Sequence, residues 1–190
     1  MRIVVGISGA SGAIIPIKLL ENLKDVEKDV IISQNAVKIM KMETGYTVEK
    51  LRALSDRIYD NSQMDADIAS GTVKFHALVI APCSTSTLSK IACGIADNLI
   101  TRVASVALKE MRRIILVPRE TPLSTVVLRN MYALSKMGVV ILPPVPAFYL
   151  KPRSVDDVAS YTVGKILDFL GIEHNLYVPY SPRASLFDLE

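Results

Sequence analysis

The feature that most constrains the fold is a set of short runs that are apolar at every position. A strand with one face in water shows polar residues at every second position, whereas an uninterrupted apolar run is typical of a strand buried on both faces. Strands of that kind belong to parallel sheets with helices on both sides. The runs comprise Ile3 to Ile7, Val30 to Ile32, Ala77 to Ala81, Ile114 to Val117 and Val139 to Leu142.

Segments with helical periodicity lie between these runs. Because strand and helix alternate along the chain, the pattern predicts right-handed βαβ crossovers and an α/β fold with a parallel sheet. The region from Thr44 to Lys74 is polar and weakly periodic, and we expect a helix and loop there between the second and third strands. The predicted helices are Ile15 to Leu23, Ala36 to Met42, Thr87 to Lys109 with a break near Gly94, Pro122 to Met137 and Val155 to Leu170.

Several residues mark the predicted helix ends. Thr121, which a proline follows, is expected to cap the start of one helix, and Ser154 with Asp157 resembles a capping box at the start of another. Gly138 and Gly171 follow the last periodic residues of their helices, where a left-handed residue is favoured.

The chain length fits one domain. A chain of 190 residues buries roughly 70% of the surface of its unfolded form, so we predict a single domain over residues 1–190. Residues 172–190 show little periodicity and are expected to form a tail that wraps a neighbouring subunit or is mobile. Hydrophobic residues make up 50% of the chain. Because this exceeds what one core needs, we expect a homo-oligomer.

Composition also excludes several classes of protein. The apolar stretches fall well short of the ~20 residues that span a bilayer, and no export signal begins the chain, so we expect a cytoplasmic protein without a membrane span. A net charge of only +3, scattered basic residues and the absence of Trp argue against nucleic-acid binding. The cysteines and histidines have no zinc-ligand spacing, so no metal site is predicted. His76 and His174 are interpreted as structural or surface residues.

Ligands of doubly wound sheets bind at the carboxyl ends of the strands, so the loops at those ends hold the candidate site. The first such loop, Ser8 to Ala13, consists of small residues that open a helix, where free backbone N–H groups can bind an anionic cofactor. The alternative is that small residues only let the helix pack closely on the sheet. Ser8 stands where the dinucleotide motif G-x-G-x-x-G has its second glycine, so that motif is not matched.

Later loops add hydroxyl groups. The second strand ends at Ser33 without an acidic residue nearby, which disfavours NAD and leaves Ser33 as either a phosphate ligand or a helix cap. Cys83 has no basic partner indicated nearby and is interpreted as a small buried residue rather than as a nucleophile. A cluster of hydroxyls at the next helix start predicts a phosphate or flavin site and comprises Ser84, Thr85, Ser86 and Thr87.

Charged and phenolic side chains complete the set. Arg102 and Lys109 are spaced seven apart on one predicted helix, so they lie on nearly the same face, either as part of a site or as a solvated pair. Arg119 and Glu120 follow the fourth predicted strand, where charges are costly unless they are paired or bind a ligand. Tyr149 ends a proline-rich loop after the fifth strand, where it either faces a ligand or fills a core or interface.

Short motifs follow one another from the first predicted strand to the last helix. They are Gly9-Ala10-Ser11-Gly12-Ala13, Ser33 with Glu43, Pro82-Cys83-Ser84, Asp97-Asn98-Leu99-Ile100-Thr101-Arg102, Leu108-Lys109-Glu110, Arg119-Glu120-Thr121-Pro122-Leu123, Asn130-Met131 and Pro146-Ala147-Phe148-Tyr149. None is specific alone. Their order and spacing, over Ile3 to Gly171, closely resemble those of the UbiX-type flavin prenyltransferases.

The resemblance implies a Rossmann-like, flavodoxin-type three-layer sandwich with a mostly parallel sheet that binds FMN noncovalently. It implies a homododecamer of trimers with active sites between subunits. Enzymes of this family transfer a dimethylallyl group from dimethylallyl phosphate to N5 and C6 of reduced FMN without a metal ion. The product, prenylated FMN, is the cofactor of UbiD-type decarboxylases.

The resemblance also implies roles for individual residues. Glu120, Glu43 and Ser11 are expected to be catalytic, with the two glutamates as the acid and base groups. Dimethylallyl phosphate is expected to bind to Lys109, Arg119, Tyr149 and Lys165. FMN is expected to bind to Gly9, Ala10, Ser11, Ser33, Ser84, Thr85, Ser86, Thr87, Arg102 and Arg119.

Two other functions stay open. An FMN-dependent decarboxylase of the peptidyl-cysteine or phosphopantothenoylcysteine type is similar in fold, but such enzymes carry a catalytic His in the N-terminal half, and this sequence has no matching His. A non-catalytic flavin carrier would bind FMN and pass it to a partner. The two alternatives differ from prenyl transfer in what happens to the flavin.

Overall fold

A computed structural model describes residues 1–179 and has a six-stranded sheet at its centre. The order across the sheet is β3-β2-β1-β4-β5-β6, and every neighbouring pair is parallel. The predicted α/β fold with a parallel sheet is therefore confirmed. The strands are β1 (Arg2–Ile7), β2 (Glu27–Ile32), β3 (Arg57–Asp60), β4 (Ala77–Cys83), β5 (Arg113–Pro118) and β6 (Val140–Ile141).

Helices cover both faces of the sheet. Side chains at alternate positions of a strand point to opposite faces, so Ile3 of β1 packs in the core under α1 and α7, whereas Val4 packs in the core under α4 and α5. This two-sided burial explains the uninterrupted apolar runs within the four central strands β1, β2, β4 and β5. The helices are α1 (Ile14–Asn22), α2 (Gln34–Thr44), α3 (Val48–Leu54), α4 (Thr85–Ala92), α5 (Leu99–Lys109), α6 (Thr125–Lys136) and α7 (Val155–Leu170).

Strand β3 corrects the prediction of a helix and loop between Thr44 and Lys74. That region does contain α3, but Arg57–Asp60 add a parallel strand beside β2 at the edge of the sheet. The strand is short and none of its residues is buried, since it has only one neighbouring strand. Arg57 lies 3.4 Å from the buried carboxylate of Asp29, its register partner on the neighbouring strand β2. An edge strand of this kind lacks the continuous apolar run that identified the others.

Most helix ends agree with the sequence, but one does not. Ser154 and Asp157 form the predicted capping box at the start of α7, and Gly171 adopts the left-handed conformation after it, with φ of 72°. Thr121 was expected to cap α6 and does not, because the helix begins later, where Ser124 accepts the N–H of Val127 at 3.4 Å. Two hydroxyl residues compete for this role, and the tertiary structure places Thr121 in an exposed loop instead.

The order of the strands reverses direction between β1 and β4. The chain leaves β1 toward β2 on one side and leaves β4 toward β5 on the other, so the loops after β1 and β4 diverge and leave a crevice at the carboxyl ends of these strands. This crevice is where open α/β sheets bind ligands. In residues 1–179, no helix combines the length and the apolar character that crossing a membrane requires. Residues 180–190 of the predicted tail lie outside the described part of the chain.

Candidate active site

Ser8 joins the two loops that border the crevice. It is the first residue after β1 and only 3% exposed. Its Oγ donates to the carbonyl oxygen of Pro82 at 2.9 Å and accepts the N–H of Ser84 at 2.7 Å. The sequence motif showed a serine in place of a glycine without revealing this role. A polar residue directly after a fully apolar strand was the available signal.

Gly9 brings the first loop against the start of α2. A Cβ atom at this position would lie 2.9 Å from the Cβ atom of Asn35, closer than side chains tolerate. The glycine is therefore required by space rather than by an unusual φ. Ser33 precedes Asn35 and caps α2, since its Oγ accepts the N–H of Ala36 at 3.2 Å. The capping alternative for Ser33 is confirmed, and its role as a phosphate ligand stays a prediction.

Glu43, at the far end of α2, closes the first loop. Its Oε2 accepts the N–H groups of Gly12 and Ala13, each at 2.9 Å. Burial alone would raise the pKa of this carboxyl group, but hydrogen bonds from the Ser11 hydroxyl and these two N–H groups, together with the charge of Arg119, lower the pKa of Glu43 below its ordinary value. Glu43 is thus a carboxylate at neutral pH and accepts a hydrogen bond from Ser11.

The start of α4 forms the other side of the crevice. Ser84 Oγ accepts the N–H of Thr87 at 3.2 Å and donates to the hydroxyl of Thr87 at 2.9 Å. Ser86 is exposed and Thr85 half-buried at the same helix end. The positive end of a helix dipole and several hydroxyl groups therefore lie beside the loop clamped by Glu43, an arrangement that fits a phosphate.

Arg119 and Glu120 follow β5 in an exposed loop. Arg119 is close enough to Glu43 for its charge to contribute to the low pKa of that carboxyl group. Glu120 Oε1 accepts the N–H of Thr121 at 3.0 Å, which holds the carboxylate near its own backbone. Cys83 lies under the same loops but is fully buried, and burial raises the pKa of its thiol to about 12. The interpretation of Cys83 as a buried residue rather than a nucleophile is confirmed.

Tyr149 and Lys165 lie together in a different place. Both line a cavity of about 380 Å³ beside β6, at the edge of the sheet, with Tyr161 between them. Burial and the neighbouring Tyr161 raise the pKa of Tyr149, and the charge of Lys165 opposes this rise. Tyr161 was not identified from the sequence, where a tyrosine at helical spacing on α7 is indistinguishable from a core residue. Arg119 does not line this cavity.

Arg102 and Lys109 form a third group on the outer face of α5. Both line a shallow pocket of about 660 Å³. Arg102 Nε donates to the carbonyl oxygen of Ala69 at 3.1 Å, and Lys109 pairs with Glu110 at 2.5 Å. The expectation that Arg102 and Lys109 share one face is confirmed. Helix α5 covers the face of the sheet opposite to α7, so one chain does not bring this pair to Lys165.

Neither histidine lies in the crevice. His76 precedes β4 at the amino ends of the strands, and its Nδ1 accepts the N–H of Arg2 at 2.8 Å. His174 lies after α7, with Nε2 3.1 Å from Asp168 Oδ1. Both are structural contacts, as the sequence indicated. Across the described part of the chain, no three His, Cys, Asp or Glu side chains are arranged to hold a metal ion.

The chain is similar in sequence to known flavoproteins over most of its length. The model of the Flavoprotein family matches residues 1–170. The flavin prenyltransferase UbiX of Thermoplasma acidophilum is 49% identical to this chain over 176 residues, which cover 93% of this chain and 98% of the relative.

Two solved structures superpose closely on this chain. The dodecameric FMN-dependent UbiX-like decarboxylase from Escherichia coli O157:H7 gives a TM-score of 0.93 at 40% identity and covers 96% of this chain and 100% of its own. AnUbiX (PadA1), solved in complex with FMN and dimethylallyl pyrophosphate, gives the same TM-score of 0.93 at 40% identity and covers 96% of this chain and 98% of its own. Since similarity at this level extends over almost the whole chain, including the clamped loop, the start of α4 and the cavity beside β6, the chain belongs to the UbiX-type flavin prenyltransferases of the flavoprotein family.

Proposed function

We propose that this protein transfers a dimethylallyl group from dimethylallyl phosphate to N5 and C6 of reduced FMN and so produces prenylated FMN. One observation carries the proposal: the chain has two separate groups suited to phosphate, the crevice of Ser84 and Arg119 and the cavity of Tyr149 and Lys165. A reaction between two phosphorylated molecules needs both. The relative from Thermoplasma acidophilum is a flavin prenyltransferase, which supports the same reaction.

The crevice fits FMN in its chemistry. The N–H groups and hydroxyls at the start of α4 point to an anion such as the FMN phosphate, and Arg119 adds a positive charge. Gly9 leaves the loop after β1 without side-chain bulk, and the clamp from Glu43 fixes it. The proposed FMN ligands are Gly9, Ala10, Ser11, Ser33, Ser84, Thr85, Ser86, Thr87 and Arg119, with Arg102 as a further candidate.

The cavity beside β6 suits the phosphate of the second substrate. Lys165 supplies a positive charge and Tyr149 a phenolic donor, and we propose that Lys109 and Arg119 assist. An allylic C–O bond breaks readily once the departing phosphate is stabilised. Each charge-assisted hydrogen bond to that phosphate contributes about 1.5–3 kcal/mol.

Proton transfer falls to carboxylates because no histidine lies in the crevice of the described chain. Reduced FMN, when bound, supplies the nucleophilic N5 and C6 atoms. Glu43 is ionised and accepts a hydrogen bond from Ser11, so we propose that it orients the Ser11 hydroxyl. Glu120 lies on the exposed loop beside Arg119, and we propose that it is the acid or base group of the proton transfers.

The site is proposed to form between subunits. The crevice, the cavity beside β6 and the pair on α5 occupy different faces of one chain, so neighbouring chains must supply some of the groups to one ligand. Helix α6 offers an apolar surface for such assembly, with Val126 56% exposed and Tyr132 66% exposed. We propose a homododecamer, because the Escherichia coli relative is dodecameric. We also propose a cytoplasmic location, which the free thiols of Cys83 and Cys93 support.

The test is direct. The protein is incubated with reduced FMN and dimethylallyl phosphate, and the flavin is then analysed by mass spectrometry. A flavin heavier by one dimethylallyl group is expected, and an unchanged flavin would refute the proposal. A parallel reaction with dimethylallyl diphosphate shows which ester is used. The product is then added to an apo UbiD-type decarboxylase, which is expected to gain activity.

The same protein preparation distinguishes prenyl transfer from the two alternative functions. A cysteine-type decarboxylase would release CO2 from a peptide with a C-terminal cysteine and leave its FMN unmodified. A flavin carrier would deliver unmodified FMN, and a Glu120→Gln variant would deliver it equally well. We expect this variant to bind FMN and to form no prenylated product.

A further inference from the structure

The chain after α7 folds back and contacts Lys165. We call Ile172–Tyr177 the C-terminal segment. The Tyr177 hydroxyl donates to Asp168 Oδ2. Lys165 Nζ donates to the same Asp168 oxygen at 2.9 Å and to the Tyr177 oxygen at 3.4 Å. His174 Nε2 lies 3.1 Å from the other Asp168 oxygen. The ammonium group of Lys165 is therefore held by a carboxylate that two residues of the C-terminal segment also contact.

Gly164 makes room for this arrangement. A Cβ atom at this position would lie 2.6 Å from two ring atoms of Tyr177 and 2.9 Å from Cε1 of His174. The ring of Tyr177 also packs edge-on against Tyr161, with 5.1 Å between the ring centroids. The segment is thus fitted to α7 by shape as well as by hydrogen bonds, although Gly164 lies inside a helix where glycine is unfavourable.

Lys165 connects this segment to the cavity beside β6. Its side chain lines that cavity with Tyr149 and Tyr161, while Asp168 and Tyr177, which bind its ammonium group, do not line the cavity. A lysine side chain is flexible, and binding a phosphate costs the entropy of fixing it. A lysine already fixed by two neighbours has lost that entropy on folding, so its phosphate site is organised in advance.

We propose that Tyr177 and Asp168 are positioning residues that hold Lys165 at the phosphate subsite of the cavity. The absence of a side chain at Gly164 leaves the space that the Tyr177 ring occupies. The inference rests on the proposed function, in which Lys165 binds the phosphate of dimethylallyl phosphate. It adds the C-terminal segment as part of the substrate site. Tyr177 acts through Lys165 rather than on the reacting atoms.

The principal variant is Tyr177→Phe, which keeps the ring on Gly164 and removes only the hydroxyl. Two quantities are measured on the FMN-loaded protein. Steady-state turnover with reduced FMN gives kcat and the KM for dimethylallyl phosphate, and calorimetric titration of the oxidised protein gives the Kd for the same ester without turnover. We expect KM and Kd to rise at least about tenfold, the effect of losing one hydrogen bond to a charged group, with kcat unchanged.

A second variant tests the shape of the contact. Gly164→Ala adds a Cβ atom that pushes the Tyr177 ring away without removing any polar group. Alanine also has a higher helix propensity than glycine, so the unfolding midpoint of Gly164→Ala should not fall. Its KM for dimethylallyl phosphate should rise as in Tyr177→Phe. The matched control is Asp156→Asn. Asp156 is on the same helix as Gly164, does not line the cavity, and forms a 2.8 Å ion pair with Lys18 that the substitution breaks. The control should leave KM and Kd unchanged.

The outcomes separate the two proposals. A wild-type protein that forms no prenylated FMN refutes the proposed function. A wild-type protein that forms it, with Tyr177→Phe and Gly164→Ala equal to wild type in KM and Kd, refutes only the positioning role. Variants that unfold at lower temperature but keep the wild-type KM and Kd give the segment a purely structural role and likewise refute it.

Discussion

Glu43→Gln tests how the loop after β1 is held. The substitution keeps the shape of the side chain and an oxygen able to accept hydrogen bonds, but it removes the negative charge. In the native protein the charged carboxylate accepts hydrogen bonds from the N–H groups of Gly12 and Ala13, each at 2.9 Å, and it lies close to Arg119. The two bonds therefore change from charge-assisted to neutral.

The magnitude follows from these contacts. A hydrogen bond to a charged group contributes about 1 kcal/mol more than a neutral one, so two bonds amount to about 2 kcal/mol when buried. The Glu43 residue is exposed, so solvent screening reduces the loss to about 1 kcal/mol. In a domain of this size that loss lowers the unfolding midpoint by about 2–4 °C.

The stability difference between wild type and Glu43→Gln depends on pH in a definite direction. Because the pKa of Glu43 is lower in the folded state than its ordinary value of 4.5, its contribution is present above pH 4.5 and is lost as the pH falls through the folded-state pKa. Thermal unfolding of flavin-free protein is measured from pH 7 downward. The difference between wild type and Glu43→Gln should be full at pH 7 and shrink below pH 4.5.

Glu21→Gln is the matched control. Glu21 is a surface glutamate that pairs with Lys50 at 2.8 Å, and the loss of its charge should change the unfolding free energy by less than about 0.5 kcal/mol. A Glu43→Gln variant as stable as this control at pH 7 would contradict the clamp. A stability difference that stays constant from pH 7 to well below pH 4.5 would contradict the lowered pKa.

Three further substitutions test other contacts of the crevice. Ser8→Ala leaves the N–H of Ser84 without its partner and removes one of the two hydrogen bonds that the Pro82 carbonyl accepts from Ser8. Urea unfolding should therefore show a loss of about 1–3 kcal/mol, and a loss below about 0.5 kcal/mol would contradict the bridging role. Gly9→Ala places a Cβ atom 2.9 Å from the Cβ atom of Asn35 and should weaken FMN binding about tenfold in a fluorescence titration. A second substitution, Asn35→Gly, removes the conflicting atom and should restore the affinity for FMN. If the double variant binds FMN as weakly as Gly9→Ala, the steric reasoning is wrong. Glu120→Gln should retain the wild-type Kd for FMN and lose at least about a hundredfold in product formation, the range typical of an acid or base group, and a nearly normal rate would remove Glu120 from the proton transfers.

Much of the fold could be predicted from the sequence because the signals were local. The four central strands were identified since both of their faces are buried, which favours an uninterrupted apolar run. The run Val139 to Leu142 also marked β6, although this edge strand is only half-buried. The capping box of Ser154 and Asp157 could be recognised because its partners are three residues apart. Strand β3 escaped detection since an edge strand is half-exposed, and the start of α6 was misplaced because Thr121 and Ser124 are chemically equivalent caps.

The candidate site could be predicted only in part. The sequence identified the small-residue loop and the hydroxyl cluster of α4, but not that Ser8 bridges them, since Ser8 and Pro82 are 74 residues apart. It named Glu43 without the geometry that makes it a clamp. It also gave no reason to connect Tyr177 or Gly164 with Lys165, because that contact depends on how the chain turns after α7.

The sequence by itself determined the alternation of buried strands and helices, and with it the parallel sheet and the edge at which ligands bind, because periodicity and turn chemistry act over a few residues. Only the tertiary structure decided which charged groups meet. It placed Arg119 by Glu43 and Tyr149 by Lys165, and it put the pair of Arg102 and Lys109, which their helical spacing already predicted, on a different face from Lys165. The physical reason is that contacts between distant residues depend on strand order and helix packing, which no local pattern encodes.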